Sequence, residues 1–381
     1  MVGLDIEKTL SLASDKKIFP IIDKVLENKR LSFEDGVKLF ETDDLLTLGV
    51  LANYQTEKKN GKYAYFVINR QINPTNICAL DCKFCAFSTM EKTDPKAYEM
   101  TYEEIIDKAR YAVEQGASEV HIVGGLHPDW DFDVYLNMIS LLRKNFPDLH
   151  IKAFTAVEID YFSKISKLPY KDVLLRLKEA GLNSLPGGGA EIFSPRVRRI
   201  IAPTKIGWKK YLEIHKIAHS LGLHSTTTML YGHVETVEER IDHILKIRDA
   251  QDETGGFTCF IPLAYQPENN ELGITDHTHG VDDLKTIAVS RLLLDNVPHI
   301  KAYWVMVGEK IAQVALNFGA DDMDGTVMEE KIAHFAGAKS PTQQQKEKLI
   351  RLIKEAGKIP VERDTLYNVI RDFSKESLQF S

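Results

Sequence analysis

Cysteine is scarce in this 381-residue chain and unevenly placed: of four cysteines, three lie between positions 78 and 85. Thiols distributed in this way build no disulfide framework. Long apolar runs are missing too, so nothing in the sequence has the length of a membrane span. The opening stretch MVGLDIEKTLSLASDKKIF lacks the apolar core of a secretion signal. Positive charge is not in excess either. A formal net charge of −7 argues against a general nucleic-acid-binding face, which needs a basic surface, but leaves room for a local basic pocket. Internal repeats and low-complexity tracts are absent. These gaps lead to the expectation of a cytoplasmic protein with reduced thiols, no membrane span and no nucleic-acid partner.

What is present is an ordinary globular composition, 44% apolar, enough to fill a sizeable core. Residues 1–60 read as helices without a strand, with Ile21, Ile22, Val25 and Leu26 on one face and Ser32 placed to cap a helix through Val37 and Phe40. This segment is expected to form a helical layer closing one end of a barrel. From Tyr63 the pattern becomes strand, helix, strand. Strands are expected at Tyr63 to Ile68, Glu119 to Val123, His150 to Phe154, Leu182 to Leu185, His224 to Leu230, Phe257 to Ile261, Ile300 to Val305 and, weakly, Asp321 to Met323. Capping boxes begin the helices at Thr101 and Thr236. Such alternation means parallel strands with right-handed crossovers. The fold class is therefore α/β, a (β/α)8 TIM-type barrel, with a six-unit partial barrel carrying extra C-terminal structure as the competing arrangement because the eighth strand is weak. The organisation is an N-terminal helical layer (1–60), the barrel (61–340) and a C-terminal helical extension (341–381) read as two helices broken at Pro360.

The three clustered cysteines have the pattern C-x3-C-x2-C: Cys78, Cys82 and Cys85. Thiolates are soft ligands for zinc or iron–sulfur clusters. Structural zinc takes four protein ligands, and no fourth Cys or His follows at a finger spacing. Three thiolates suit a 4Fe-4S cubane with one iron left open for a small molecule. This loop, with an aromatic residue just before the third cysteine, resembles the signature of the radical S-adenosylmethionine (SAM) superfamily.

In a barrel of this kind the active site lies at the C-terminal ends of the strands, and the unusual motifs fall there. Gly124-Gly125 follows the second strand and suits either close approach of backbone to the SAM amine or a tight turn. Gly187-Gly188-Gly189-Ala190-Glu191 follows the fourth; Glu191 is a candidate acceptor for ribose hydroxyls, or else a cap of the next helix. His127, Thr155, Glu158, Tyr231, His233 and Tyr265 also project from strand ends or their loops. Cys259 lies inside an apolar run and is expected to be a core thiol.

The segments NPTNIC…CKFCAF, HIVGGLHPDW, LPGGGAEIF, TTTMLYGHVET and FIPLAYQPENN together resemble the aminofutalosine (aminodeoxyfutalosine) synthases of the futalosine route to menaquinone. Similarity extends to two relatives, the dehypoxanthine futalosine cyclases and the deazaflavin-coenzyme synthase subunits; GGGAEI counts against the latter, while RVRRIIAP and TMLYGHVET favour the synthases. The resemblance implies a radical SAM transferase that joins SAM to 3-[(1-carboxyvinyl)oxy]benzoate, giving 6-amino-6-deoxyfutalosine, methionine and bicarbonate. It also implies one 4Fe-4S cluster on Cys78, Cys82 and Cys85, SAM held by Phe84, Phe87, Gly124, Gly125 and Glu191, and an external one-electron reductant of flavodoxin or ferredoxin type. A substrate with two carboxylates calls for cationic or donor partners, for which Arg70, His127, Arg199 and His233 are the candidates by position.

Overall fold

In the computed structural model, which describes residues 6–375, Tyr63–Val67 (β1) and Asn69–Ile72 (β2) are one run interrupted at Ile68. From β2 a parallel sheet continues through Glu119–Ile122 (β3), His150–Ala153 (β4), Ser184–Leu185 (β5), His224–Tyr231 (β6), Phe257–Ala264 (β7) and His299–Ile300 (β8) in chain order. The sheet curls back on itself. Asp322–Gly325 (β9) lies parallel to β1, and the single bridge Lys301↔Asp322 ties it to the end of β8. β9 thus occupies the place of an eighth barrel strand.

The crossovers are helices with their apolar faces inward. Tyr102–Glu114 begins in the expected capping box, with Thr101 accepting from Glu104 N–H and Glu104 reaching back to Thr101 N–H. Val237–Thr254 begins the same way at Thr236. The segment after β4 carries a helix the sequence reading did not separate, Ala156–Ser166, with its own capping box of Thr155 and Glu158. Ile159 and Phe162 on its inner face pack in the core, where Phe162 meets the Phe154 ring edge-on.

Three expectations change on contact with the structure. The described part of the N-terminal layer is helical, with Phe33–Glu41 and Leu45–Asn60 as its main elements, but it packs along the barrel flank. Gly36 meets Ile241 and Leu293 there, and Gly49 meets Phe318. The strand expected over Ile300 to Val305 stops at Ile300; Trp304–Val307 is a helical turn, because buried Trp304 turns to donate to Gly325 O. The C-terminal region holds one helix, Lys346–Glu355, but no second one among the described residues. Instead Ile359–Arg363 (β10) runs parallel to β1, and Val369–Asp372 (β11) pairs antiparallel with β10. Pro360 lacks the N–H of a central strand residue, but β10 keeps its place between β1 and β11: Pro360 O accepts from Phe373 N–H at 3.1 Å and Val361 is buried. Residues 376–381 lie outside the described residues.

The turn after β10 is what closes the N-terminal end of the barrel. Arg363 Nε donates to Asp322 Oδ2 at 2.7 Å, Thr365 Oγ1 donates to Glu119 Oε2 at 2.7 Å, and the Tyr367 ring stacks on His299 at 3.6 Å. Asp322, Glu119 and His299 are the first residues of their strands.

Candidate active site

At the opposite, C-terminal end of the strands a cavity of about 320 Å3 opens into the barrel. Cys78, Cys82 and Cys85 border it, and all three are half-buried free thiols. Their loop is pinned on both sides. Cys78 N–H donates to Thr89 O at 2.9 Å, Ala79 N–H to Leu126 O at 2.8 Å and Lys83 N–H to Ile201 O at 2.8 Å. Among the described residues no three His, Cys, Asp or Glu side chains converge closely enough to hold a single metal ion. Thiols set around a cavity match the geometry of a cluster, where each thiolate takes a different iron. Burial pushes the Cys82 thiol up to about 11, while the ammonium of Lys205 opposes that and favours the thiolate.

The glycines at the mouth serve close packing of the chain. A Cβ on Gly125 would stand 2.1 Å from Ile77 O, so the loop after β3 can lie against the residue before Cys78 only because position 125 has no side chain. Gly187 meets the β6 backbone in the same way, its Cβ position 2.5 Å from Thr227 Cα. Thr228 Oγ1 and Tyr211 Oη both donate to Gly187 O, at 2.8 and 2.7 Å. Glu191 is buried, with a left-handed φ of 48°, and its Oε1 accepts from Lys205 Nζ at 2.6 Å. It does not cap the next helix; Ser194 does. Lys205 also stands over the Phe84 ring, 5.1 Å from its centroid. Phe84, Phe87, Gly124, Gly125 and Glu191 all line the cavity, as do Thr155, Glu158 and Tyr265.

Glu158 is the one mouth carboxylate without a cation at hydrogen-bond distance. Burial raises it to about 7, against the N–H groups of Thr155 at 2.6 Å and Gly124 at 3.3 Å, which favour its ionised form.

None of the four side chains expected to meet substrate carboxylates borders the cavity. Arg70 is paired with Glu329 and lies 5.3 Å from the Tyr111 ring centroid, facing the outer helix. His127 accepts from Asp129 N–H at Nδ1, contacts Glu99 through Nε2 at 2.9 Å and stacks on Trp130. Arg199 is exposed on the short helix Pro195–Ile201. His233 Nδ1 stands 2.9 Å from Glu235 Oε2, within a buried group that includes Arg240. The run RVRRIIAP braces the site without lining it: Arg198 Nη1 donates to Ala190 O at 2.6 Å and its other amine reaches Ile206 O. It thereby joins the glycine-rich loop to the loop that presents Lys205.

The cationic groups that do line the cavity are Lys152, Lys205 and Lys301, none of them visible as a motif. Lys152 and Lys301 come from β4 and the end of β8 and are paired with Glu119 at 2.6 Å and Asp324 at 2.8 Å. The only sequence signal for Lys152 was a charge inside an apolar strand, which is costly unless it is used.

Comparison with known proteins agrees with this arrangement. Residues 72–247 match the Radical SAM superfamily, and residues 254–376 match the CofH/MqnC C-terminal region. The chain is 49% identical over 361 residues to an aminodeoxyfutalosine synthase of Thermus thermophilus, covering 94% of this chain and 97% of the relative. The chain belongs to the radical SAM superfamily. A second aminodeoxyfutalosine synthase, from Streptomyces coelicolor, is 44% identical over 92% of this chain and 93% of its own length. Among solved structures, methylornithine synthase (PylB) superposes with a TM-score of 0.73 at 18% identity, covering 90% of this chain and 97% of that one, a likeness of fold. No described helix is long and apolar enough to cross a membrane.

Proposed function

We propose that this radical SAM enzyme is an aminodeoxyfutalosine synthase, adding the 5′-deoxyadenosyl group of SAM to 3-[(1-carboxyvinyl)oxy]benzoate on the futalosine route to menaquinone. Two relatives of that name, each similar over nine-tenths of this chain, support the reading. The observation that carries it to the site is that three free thiols, three lysines and buried acids, Glu158 and Glu191 among them, border one cavity at the C-terminal ends of the strands.

Cys78, Cys82 and Cys85 hold the 4Fe-4S cluster. When bound, it supplies the electron that splits SAM and frees the adenosyl fragment for addition to the alkene. The chain's own residues bind, orient and exclude water. Lys205 fixes Oε1 of Glu191 and leaves the second carboxylate oxygen to accept from ribose hydroxyls. Phe84 and Phe87 give the cofactor apolar surface, and Gly124 and Gly125 keep the loop after β3 narrow enough to leave room for it. Ile261, Leu263 and Met306, opposite, shield the reacting carbon from solvent. An external one-electron donor of flavodoxin or ferredoxin type reduces the cluster. The cytoplasm, with its reducing poise, suits both the cluster and four free thiols.

The test is the fate of the adenosyl group. SAM labelled in its adenosyl portion, incubated anaerobically with the benzoate and a reductant, gives a labelled adenine-bearing adduct identified by mass. Free 5′-deoxyadenosine formed one-for-one with turnover, with no label in the product, would instead assign hydrogen abstraction and the cyclase reaction.

A further inference from the structure

Below the apolar belt of the cavity lies a polar floor that the proposed chemistry at the mouth does not use. It is made by Gln71 on β2, His121 on β3, Lys152 on β4, and Lys301, Tyr303 and Asp324 around β8 and β9, all of which line the cavity. Gln71, His121 and Lys152 stand in register across three neighbouring strands, so their side chains share one level of the barrel. A barrel interior at this level is ordinarily filled by branched apolar residues. Here it carries two ion pairs and an imidazole.

The pairs are complete. Glu119 accepts from both Lys152 and Thr365, and Lys301 donates to Asp324. The imidazole is not: His121 Nε2 is buried with no hydrogen-bond partner. A buried ring nitrogen without a partner is disfavoured unless a ligand completes it. An ammonium has three donors, and each lysine here uses one on its carboxylate, so further donors of Lys152 and Lys301 remain for a ligand that reaches His121. The carboxylates are occupied and the donors are in surplus. That surplus selects a group rich in acceptors, such as a carboxylate.

We infer that this floor is the subsite for the ring carboxylate of an aromatic acid, with His121 as the residue that determines specificity for it. The inference rests on the reading of the reaction given above. In the substrate proposed, the enol-ether double bond carries one carboxylate and must face the cofactor at the mouth. The other carboxylate sits on the ring, meta to the ether oxygen, and with the alkene held at the mouth it can extend down into the barrel. Leu230, Ile261, Leu263 and Tyr265 border the cavity between the two ends and give the ring an apolar sleeve. His121 donates from Nε2 to the carboxylate, Lys152 and Lys301 offer it their remaining N–H donors, and Gln71, already donating to Tyr303 Oη at 3.1 Å, limits how deep it sinks. His121 is a positioning residue: it holds the ring so that the alkene stays at the mouth.

The experiment compares two ligands on the SAM-loaded holoenzyme, unreduced so that no turnover occurs: 3-[(1-carboxyvinyl)oxy]benzoate and its analogue lacking the ring carboxylate. Titration of the parent should show the benzoate binding about tenfold to a hundredfold tighter, the range for hydrogen bonds to a charged group. His121→Leu should lose most of that preference while keeping iron content and SAM affinity, because the side chain it removes bonds to nothing in the protein. His121→Asn, which retains a donor, should recover part of it. In turnover, His121→Leu should raise KM for the benzoate and increase the share of SAM cleaved without adduct formation. A parent that discriminates, together with a His121→Leu variant that discriminates equally, overturns the subsite and leaves the synthase reading standing. A parent that binds the benzoate no better than the analogue also overturns the subsite. A parent that forms no adduct at all overturns the synthase reading and the inference with it.

Discussion

The two ends of the barrel differ in what they leave unpaired. Among the described residues, the buried charges at the N-terminal end are paired: Arg363 with Asp322, and Arg291 and His299 with Asp321. At the C-terminal end three thiols are free and Glu158 has no cation at hydrogen-bond distance. The same strands supply both ends. Satisfied buried charges specify and hold a structure, whereas unsatisfied ones are tolerated where a ligand completes them. The comparison therefore assigns stability to one end and chemistry to the other, and substitutions can break it in either direction.

The largest effect is expected at the cysteines. Cys78→Ala, Cys82→Ala or Cys85→Ala should each abolish SAM cleavage and deplete iron, read by iron analysis and anaerobic product assay. Cys259→Ala, at a fully buried thiol of β7, should keep the cluster. Full iron and activity in any of the first three would remove the cluster from this loop. Gly125→Val follows closely. Its side chain has backbone of Ile77 and Asn76 in its way at 2.1 to 3.0 Å, none of which can yield as a flexible side chain would. It should displace the residue before Cys78, so that iron retention falls along with SAM binding. A Gly125→Val protein with full iron would show that the two loops move apart freely.

The N-terminal end should respond in stability and not in chemistry. Arg363→Met leaves Asp322 buried and unpaired, a change expected to cost about 3–5 kcal/mol, measured by thermal or denaturant unfolding of the anaerobic holoenzyme. SAM cleavage well below the unfolding temperature should stay near the parent rate. A large loss of cleavage with unchanged stability would mean that this end takes part in the chemistry after all. Glu191→Ala at the mouth should do the reverse. SAM affinity should fall by about tenfold to a hundredfold, the loss expected for hydrogen bonds to a charged group, with iron retained. Unchanged affinity would reduce the Glu191–Lys205 pair to a structural tie.

The sequence reveals the mouth far better than the floor, and the reason is spacing. Cys78, Cys82 and Cys85 are neighbours in one loop, and Gly124-Gly125 and Gly187 to Glu191 are each continuous, so one glance along the chain finds them. Glu158 carries a signal of the same local kind, three residues after its capping Thr155. The floor is assembled from one residue per strand, Gln71, His121, Lys152 and Lys301, separated by dozens of positions and joined only by register. Arg70 shows the other side of this limit. It is one position away from Gln71, and in a strand one position reverses the face, so an arginine chosen for its charge points to Glu329 and the outer helix. The C-terminal strands escaped for a similar reason. β10 gains its identity from pairing with β1, nearly three hundred residues earlier, and not from its own pattern.

The smallest predicted effect is the one that sharpens the contrast between the ends, because it reads the protonation of two buried glutamates. Glu119, at the N-terminal end, is buried, but Lys152 outweighs that burial and holds it well below the usual carboxylate range. Glu158, at the mouth, has burial without a partner ammonium and rises from the ordinary 4.5 to about 7. A carboxyl whose folded value is raised keeps its proton in the folded chain while the unfolded chain has released it. Between about pH 4.5 and pH 7 the folded state therefore binds more protons, and this group makes stability decline as pH rises, levelling off above 7. Glu158→Gln mimics the protonated form at every pH and removes that decline. The difference in unfolding temperature, variant minus parent, should thus climb across this window and then stay flat. The measurement is a pH series of thermal unfolding on both proteins under the same anaerobic conditions. A difference that does not change with pH would show that Glu158 titrates as an ordinary exposed carboxylate, and the mouth would then resemble the N-terminal end in having no strained charge of its own.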